Sequence, residues 1–305
     1  MKKISGKKIK LVLFHMGAFL VIALCFLKFP EEVIELKNQV RVMMNPDLRD
    51  LEIDFSKYPV MEHKSDAWYL KERLIYHAGG EIGGLNYTNS EEAMEKTLEL
   101  GARYIEIDFL YTSDQKLACA HYWDSLWSGE EAPTLAEYED LLIFGKYSAM
   151  TIEELLAYME QYPDLHIIVD TKEEDYERVV RDLVQLSAFN TEITDRFIIQ
   201  LYQAGEKAQF QKIYPFKDEN FLLTTYKMNS EHTNRIMKIC YDENISVIAV
   251  PSEAVNDELI VQFQEKNIII YEYTVNRPNS AQKSLDKGIH GFYTDCLRIE
   301  DLQFE

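Results

Sequence analysis

The feature that most restricts the fold is a repeated alternation of short apolar runs with amphipathic helical stretches. The apolar runs fall at 74–77, 104–109, 166–170, 197–201, 221–225, 246–250, 268–274 and 291–295. Helical patterns fill the intervals, at 90–100, 151–161, 176–186, 204–212, 231–242, 256–265 and 280–287. A strand buried on both faces reads as a nearly continuous apolar run, and strands that alternate with helices build parallel sheets. Eight of them predict an α/β fold closed as a TIM (β/α)8 barrel rather than an open sheet. Thr151-Ile152-Glu153-Glu154 is a helix start with an acidic first turn. A hairpin pivoting near Ser113-Asp114 and covering 116–120 reads as an excursion from the second strand, not as a ninth barrel strand.

In such barrels the ends of the strands converge on one rim, where the chemistry is done. His77, Asp108, Asp170, Thr274 and Asp295 all fall at or near strand ends, and the hairpin returns His121 to a place above the second strand. Glu106 and Asp108 are two apart and must share a strand face. The alternate residues Ile105, Ile107 and Phe109 are apolar and take the other face. Two carboxylates aimed at one point repel each other unless a cation lies between them, and a hard divalent ion suits oxygen ligands. An ordinary salt-bridged pair is the plainer alternative, but few basic residues lie near in sequence. Two histidines beside them complete a set suited to metal-assisted acid–base chemistry.

Several blocks of this sequence resemble the glycerophosphodiester phosphodiesterase family. They are His77-Ala78-Gly79, Thr88-Asn89-Ser90, Gly101-Ala102-Arg103, Glu106-Ile107-Asp108 and His121-Tyr122. The order continues through Asp170-Thr171-Lys172, Tyr273-Thr274-Val275-Asn276 and Gly291-Phe292-Tyr293-Thr294-Asp295. The resemblance implies a phosphodiesterase acting on glycerophosphodiesters or related phospholipid and polymer headgroup esters, with a glycerol phosphate and an alcohol as products. It implies a divalent cation, Ca2+ or Mg2+, held by Glu106, Asp108 and Asp170. It also implies acid–base catalysis by His77 and His121, with His77 expected to take a proton and His121 to give one. Substrate contacts are expected from Lys172, Tyr273, Asn89 and Trp123, and Trp123, Trp127, Tyr138 and Tyr147 are candidates to cover an apolar leaving group. Core packing accounts for those four aromatics equally well.

The departures from the family pattern bear on the pocket. Ala78 stands where the family has arginine, Thr88 where it has glutamate and Tyr122 where it has aspartate; Asp170 is one methylene shorter than the family's glutamate. A phospholipase of the phosphatidylinositol-cleaving or phospholipase D type is therefore a rival reading. A weakly catalytic ligand-binding module on the same barrel is another.

Residues 1–30 read as a cytoplasmic lysine-rich tail and a transmembrane helix. Five lysines precede LVLFHMGAFLVIALCFL, and no small-residue cleavage site follows it. The lysine asymmetry puts the N-terminus inside, so the expectation is a single-pass protein of the cell membrane with an extracellular catalytic part. Residues 31–70 read as a stalk or linker with a helix near 31–44, and residues 71–305 as the barrel. The chain carries −20 overall and its first 28 residues +6, which leaves −26 for the remainder. A body that acidic repels nucleic acid, which is excluded as a partner; the membrane is met through the helix rather than the surface. The four cysteines show no metal-ligand spacing.

Overall fold

A computed structural model describes residues 55–126, 131–225, 230–252 and 254–304. Eight parallel strands close into a barrel: β1 (Leu74–Tyr76), β2 (Tyr104–Tyr111), β6 (His166–Thr171), β7 (Phe197–Leu201), β8 (Phe221–Thr224), β9 (Val247–Pro251), β10 (Ile269–Tyr273) and β11 (Gly291–Thr294). Closure is made where β1 pairs with both β11 and β2. The excursion is also present. β3 (Leu117–Cys119) runs antiparallel to the far end of β2, with Phe109 opposite Cys119.

The connecting helices are α1 (Glu91–Glu99), α4 (Ile152–Gln161), α5 (Tyr176–Leu186), α7 (Glu206–Ile213), α8 (Ser230–Asp242), α9 (Asp257–Glu265) and α10 (Pro278–Lys287). A short α6 (Thr191–Thr194) leads into β7. Their starts follow local chemistry. The Ser90 hydroxyl accepts from the Ala93 N–H at the head of α1, and Thr151 and Glu154 form a capping box on α4. Between β3 and α4 the chain adds α2 (Trp123–Leu126), α3 (Leu135–Glu139) and a two-stranded hairpin, β4 (Leu142–Ile143) with β5 (Tyr147–Ser148).

The strand period positions the site. Ile75, Ile168, Ile198, Leu222, Tyr271 and Tyr293, one from each of six strands, pack together inside the barrel with Val247 and Ala249 of β9. Two residues further along, on the same face, come His77, Asp170, Gln200, Thr224, Tyr273 and Asp295. Glu106 is in register with Ile168, and Asp108 with Asp170, so β2 contributes both its carboxylates to this inward face. An apolar plug therefore fills the lower barrel, and polar side chains stand directly on top of it.

Residues 55–70 fall in the stretch read as a linker, within which Trp68 and Tyr69 were expected to pack under the barrel, and they pack against it. Trp68 and Tyr69 join the plug; the Trp68 indole stacks on Tyr104, the first residue of β2, with centroids 5.2 Å apart. Phe55 meets Phe263 of α9 edge-on at 5.5 Å. These aromatics seal the N-terminal end, and the barrel's own unit extends upstream of residue 71. Among the described residues no helix is long and apolar enough to cross a membrane. The lysine-flanked apolar run of residues 1–30 and the helix expected at 31–44 lie outside the described residues.

Candidate active site

β1 ends in a tight turn, His77–Gly79; Ala78, Gly79 and the following Gly80 all have positive φ, at 49°, 81° and 94°. Left-handed backbone is unfavourable for alanine by about 1–2 kcal/mol. Here it aims the Ala78 N–H at Glu106 Oε2, 2.6 Å away. Asn89, also left-handed, receives the Asp108 N–H on its Oδ1 at 3.1 Å and donates from Nδ2 to Asp108 Oδ2 at 3.0 Å. Each of the two β2 carboxylates is thus fixed through one oxygen. The other oxygens, Glu106 Oε1 and Asp108 Oδ1, are buried and have no hydrogen-bond partner.

Asp170 supplies the third carboxylate, and ligand oxygens of Glu106, Asp108 and Asp170 lie within 4.8 Å of one another. Burial and the neighbouring acid raise the Glu106 pKa well above its ordinary range; burial and Asp170 raise that of Asp108 to about 6. Buried, mutually repelling carboxylates with unsatisfied oxygens fit a hard divalent cation. Asp170 is held on both sides. Its Oδ1 accepts from the Thr171 N–H at 2.7 Å and from the Tyr202 hydroxyl, and its Oδ2 is 2.6 Å from Lys172 Nζ. Lys172 also lies 3.8 Å from Asp108 Oδ1. This lysine, expected at a phosphate oxygen, is ion-paired with two members of the acidic trio and lines the cavity above them.

The histidines occupy different electrostatic environments. His77 Nδ1 pairs with Asp295 Oδ1 at 2.9 Å. Asp295 is buried and held in turn, its Oδ2 accepting from Asn86 at 2.8 Å and its N–H donating to Asn276 Oδ1 at 2.7 Å. Burial alone would lower the His77 pKa, but the Asp295 bond and the charges of Glu106 and Asp108 outweigh it and push the value up to about 9. For His121, burial and then the Lys172 charge lower it to about 4. His121 Nε2 stands 3.8 Å from Asp108 Oδ1. The charge environment therefore holds a proton more strongly on His77 than on His121. The Tyr87 ring lies between the two imidazoles, 4.6 Å from each by centroids.

These groups open into a cavity of about 690 Å3 lined by His77, His121, Glu106, Asp170, Lys172 and Tyr273, together with Asn86, Tyr87, Tyr122, Phe144, Gln200, Tyr202, Thr224, Thr274 and Tyr293. Of the expected substrate contacts, Lys172 and Tyr273 line it, and the Tyr273 hydroxyl also donates to the Thr225 carbonyl at 2.7 Å. Asn89 is buried behind Asp108 and orients it. Trp123 is turned away; its indole N–H donates to the Tyr111 carbonyl at 3.1 Å, and its ring meets Tyr138 edge-on at 5.6 Å. Tyr138 and Tyr147 are buried in the same satellite core, so packing accounts for these aromatics, while Trp127 lies outside the described residues. Asp295 was placed on the rim without a role, and Asn276, Tyr202, Tyr87 and Phe144 were not singled out as site residues. For Asp295 and Asn276 the signal was present, in the Thr294-Asp295 and Val275-Asn276 blocks.

Fold and site together define a class: a TIM barrel with a cation-ready acidic trio and two histidines at the C-terminal rim. The profile of the Glycerophosphoryl diester phosphodiesterase family matches residues 82–298, and the chain belongs to that family, whose members are phosphoric diester hydrolases. The chain is 23% identical to a Glycerophosphodiester phosphodiesterase from Bacillus altitudinis over 68% of its own length and 88% of that protein's. Among solved structures it resembles an Oleispira antarctica phosphodiesterase determined with the product sn-glycerol-3-phosphate. There the TM-score is 0.61 at 15% identity, covering 75% of this chain and 95% of that one. A Parabacteroides distasonis glycerophosphodiester phosphodiesterase gives a TM-score of 0.56 at 18% identity, covering 73% and 92%. At these identities the structural likeness establishes the barrel fold.

Proposed function

We propose that this protein is a cation-dependent phosphodiesterase that cleaves glycerophosphodiesters to a glycerol phosphate and an alcohol, with His77 and His121 as its proton-transfer pair. The observation that carries the reading is the pair of buried oxygens on Glu106 and Asp108 that accept no hydrogen bond, grouped with Asp170 beneath a cavity flanked by both histidines. Bound among these three residues, a divalent ion such as Ca2+ or Mg2+ would offset the phosphate charge.

The chain's own residues account for the rest. Gln200, Thr224 and Tyr273 form the polar floor of the cavity beside Lys172, whose ammonium, paired with Asp170, would meet a phosphate oxygen there. His121, neutral because it is buried beside a lysine, takes the proton from the attacking oxygen. His77 holds a proton through Asp295 and delivers it to the departing alcohol. Asp295 keeps Nδ1 engaged, so that Nε2 is the nitrogen presented to substrate.

Hydrolysis of glycerophosphodiesters and of bis(p-nitrophenyl) phosphate, measured with EDTA and with added Ca2+ or Mg2+, tests this reading. Ion-dependent turnover that falls by on the order of 10² to 10⁴ in both His77→Ala and His121→Ala is the expected outcome. Full activity in EDTA would instead favour the phosphatidylinositol-cleaving mechanism. The lysine-flanked apolar run at residues 1–30 supports the further proposal that the enzyme is membrane-anchored and faces outward. Intact mass of protein extracted from membranes tests that, and a mature chain starting near residue 30 would refute it.

A further inference from the structure

Three large side chains that are substantially exposed surround the mouth of the catalytic cavity: Tyr87 at 42%, Tyr122 at 50% and Phe144 at 51%. Their placement is built into the fold. The β4–β5 hairpin is anchored by Ile143 and Tyr147, both buried in the satellite core with Leu110, Ala118 and Tyr138. Phe144 follows β4 on a left-handed tip with Gly145, which leaves its ring exposed. The loop after β1 is fitted to the same hairpin, because a Cβ at Gly83 would collide with the Tyr147 hydroxyl. Tyr122 meets the His121 ring edge-on with centroids 3.9 Å apart, and Tyr87 touches both imidazoles. Whichever histidine protonates the leaving oxygen, the alcohol departs past an aromatic surface. The cavity is thus polar at its floor and aromatic at its mouth, and its volume is in the range that encloses a drug-sized ligand.

Exposed aromatics in water are unfavourable unless something covers them, and a preorganised aromatic rim binds apolar groups with little ordering cost. Resting on the phosphodiesterase reading above, we infer that Tyr87, Tyr122 and Phe144 form a specificity collar for the alcohol half of the substrate. The collar selects a glycerophosphodiester whose esterified alcohol bears an alkyl or aryl group over one with a small polar headgroup. In the reaction the phosphorus–oxygen bond to that alcohol breaks. Water supplies the oxygen that stays on the glycerol phosphate, and the alcohol leaves with one proton.

The test compares kcat/KM for glycerophosphate esters of methanol, octanol and benzyl alcohol, each kept below its aggregation concentration. Wild type should prefer the octyl or benzyl ester to the methyl ester by at least about tenfold. The larger of those two rates tells whether the apolar group is alkyl or aryl. Phe144→Ala should bring the ratio close to one, and Phe144→Leu should restore most of it for the octyl ester, with both variants unfolding cooperatively at the wild-type temperature. A wild-type ratio near one with all three esters turned over would overturn the collar while leaving the phosphodiesterase reading standing. Turnover of none of them would instead sink the reading on which the collar rests. A preference that emerges only when the octyl ester aggregates, or only on vesicles, would also overturn the collar, because it would make the mouth a membrane-contact surface.

Discussion

Lys172 is paired with an oxygen that the proposed divalent cation would need. The Lys172 ammonium is 2.6 Å from Asp170 Oδ2 and close to Asp108, so it already neutralises part of the charge that an ion would neutralise. Lys172→Met should therefore tighten Ca2+ or Mg2+ binding by on the order of tenfold, as removal of a nearby like charge does at a partly screened site. It should lower turnover at the same time, because the phosphate loses its cationic partner. Titration calorimetry and steady-state rates on the same preparation check the two effects, and parallel losses would show that the lysine only supports the site. His77 gives a second prediction. In metal-free protein its imidazole should titrate near 9 by NMR, and Asp295→Asn should bring it down. Because that value is above the ordinary 6.5, the His77–Asp295 pair contributes its full stability below about pH 6.5 and loses it as pH rises through about 9. A bound cation should lower the His77 value, since it cancels the carboxylate field.

At the scale of elements, the turn after β1 stores strain to aim one N–H. Ala78 at φ 49° is left-handed, and glycine adopts that geometry freely. Ala78→Gly should stabilise the protein by up to about 1 kcal/mol in denaturant unfolding, the relief of the left-handed penalty being partly offset by glycine's greater unfolded-state entropy. All eight barrel strands were legible because each is a short apolar run between helix patterns. Where an end differs it does so by one or two residues, since hydrogen-bond register rather than hydrophobicity decides where a ladder stops. Thus β2 continues to Tyr111 because β3 pairs with it. The β4–β5 hairpin was not legible, because two-residue strands have no detectable period. Phe144 therefore gave no sign of reaching the cavity. Tyr202 follows the end of β7 and meets Asp170 only after β6 and β7 pair. Glu106, Asp108 and Asp170 were readable together, because two of them lie on one strand and the register of its neighbour supplies the third.

For the whole molecule, the barrel's lower end is closed by residues upstream of its first strand. Trp68 lies in the plug, and its indole N–H donates to the Glu219 carbonyl at 2.8 Å. Trp68→Ala should cost about 3–5 kcal/mol, and a chain begun at residue 71 should unfold at markedly lower denaturant than one begun near residue 53. Equal midpoints for the two truncations would mean that this segment merely rests on the barrel. The account as a whole depends on the acidic trio being a cation site, and thermal unfolding with EDTA and with saturating Ca2+ or Mg2+ tests this most directly. Binding only to the folded chain must raise its melting temperature. Wild type should melt several degrees higher with the ion. Asp108→Asn should lose that rise yet melt no lower than wild type in EDTA, because it removes a carboxylate whose ionisation is opposed by burial and by Asp170. Superimposable wild-type curves with and without the ion would contradict the assignment of Glu106, Asp108 and Asp170 as its ligands.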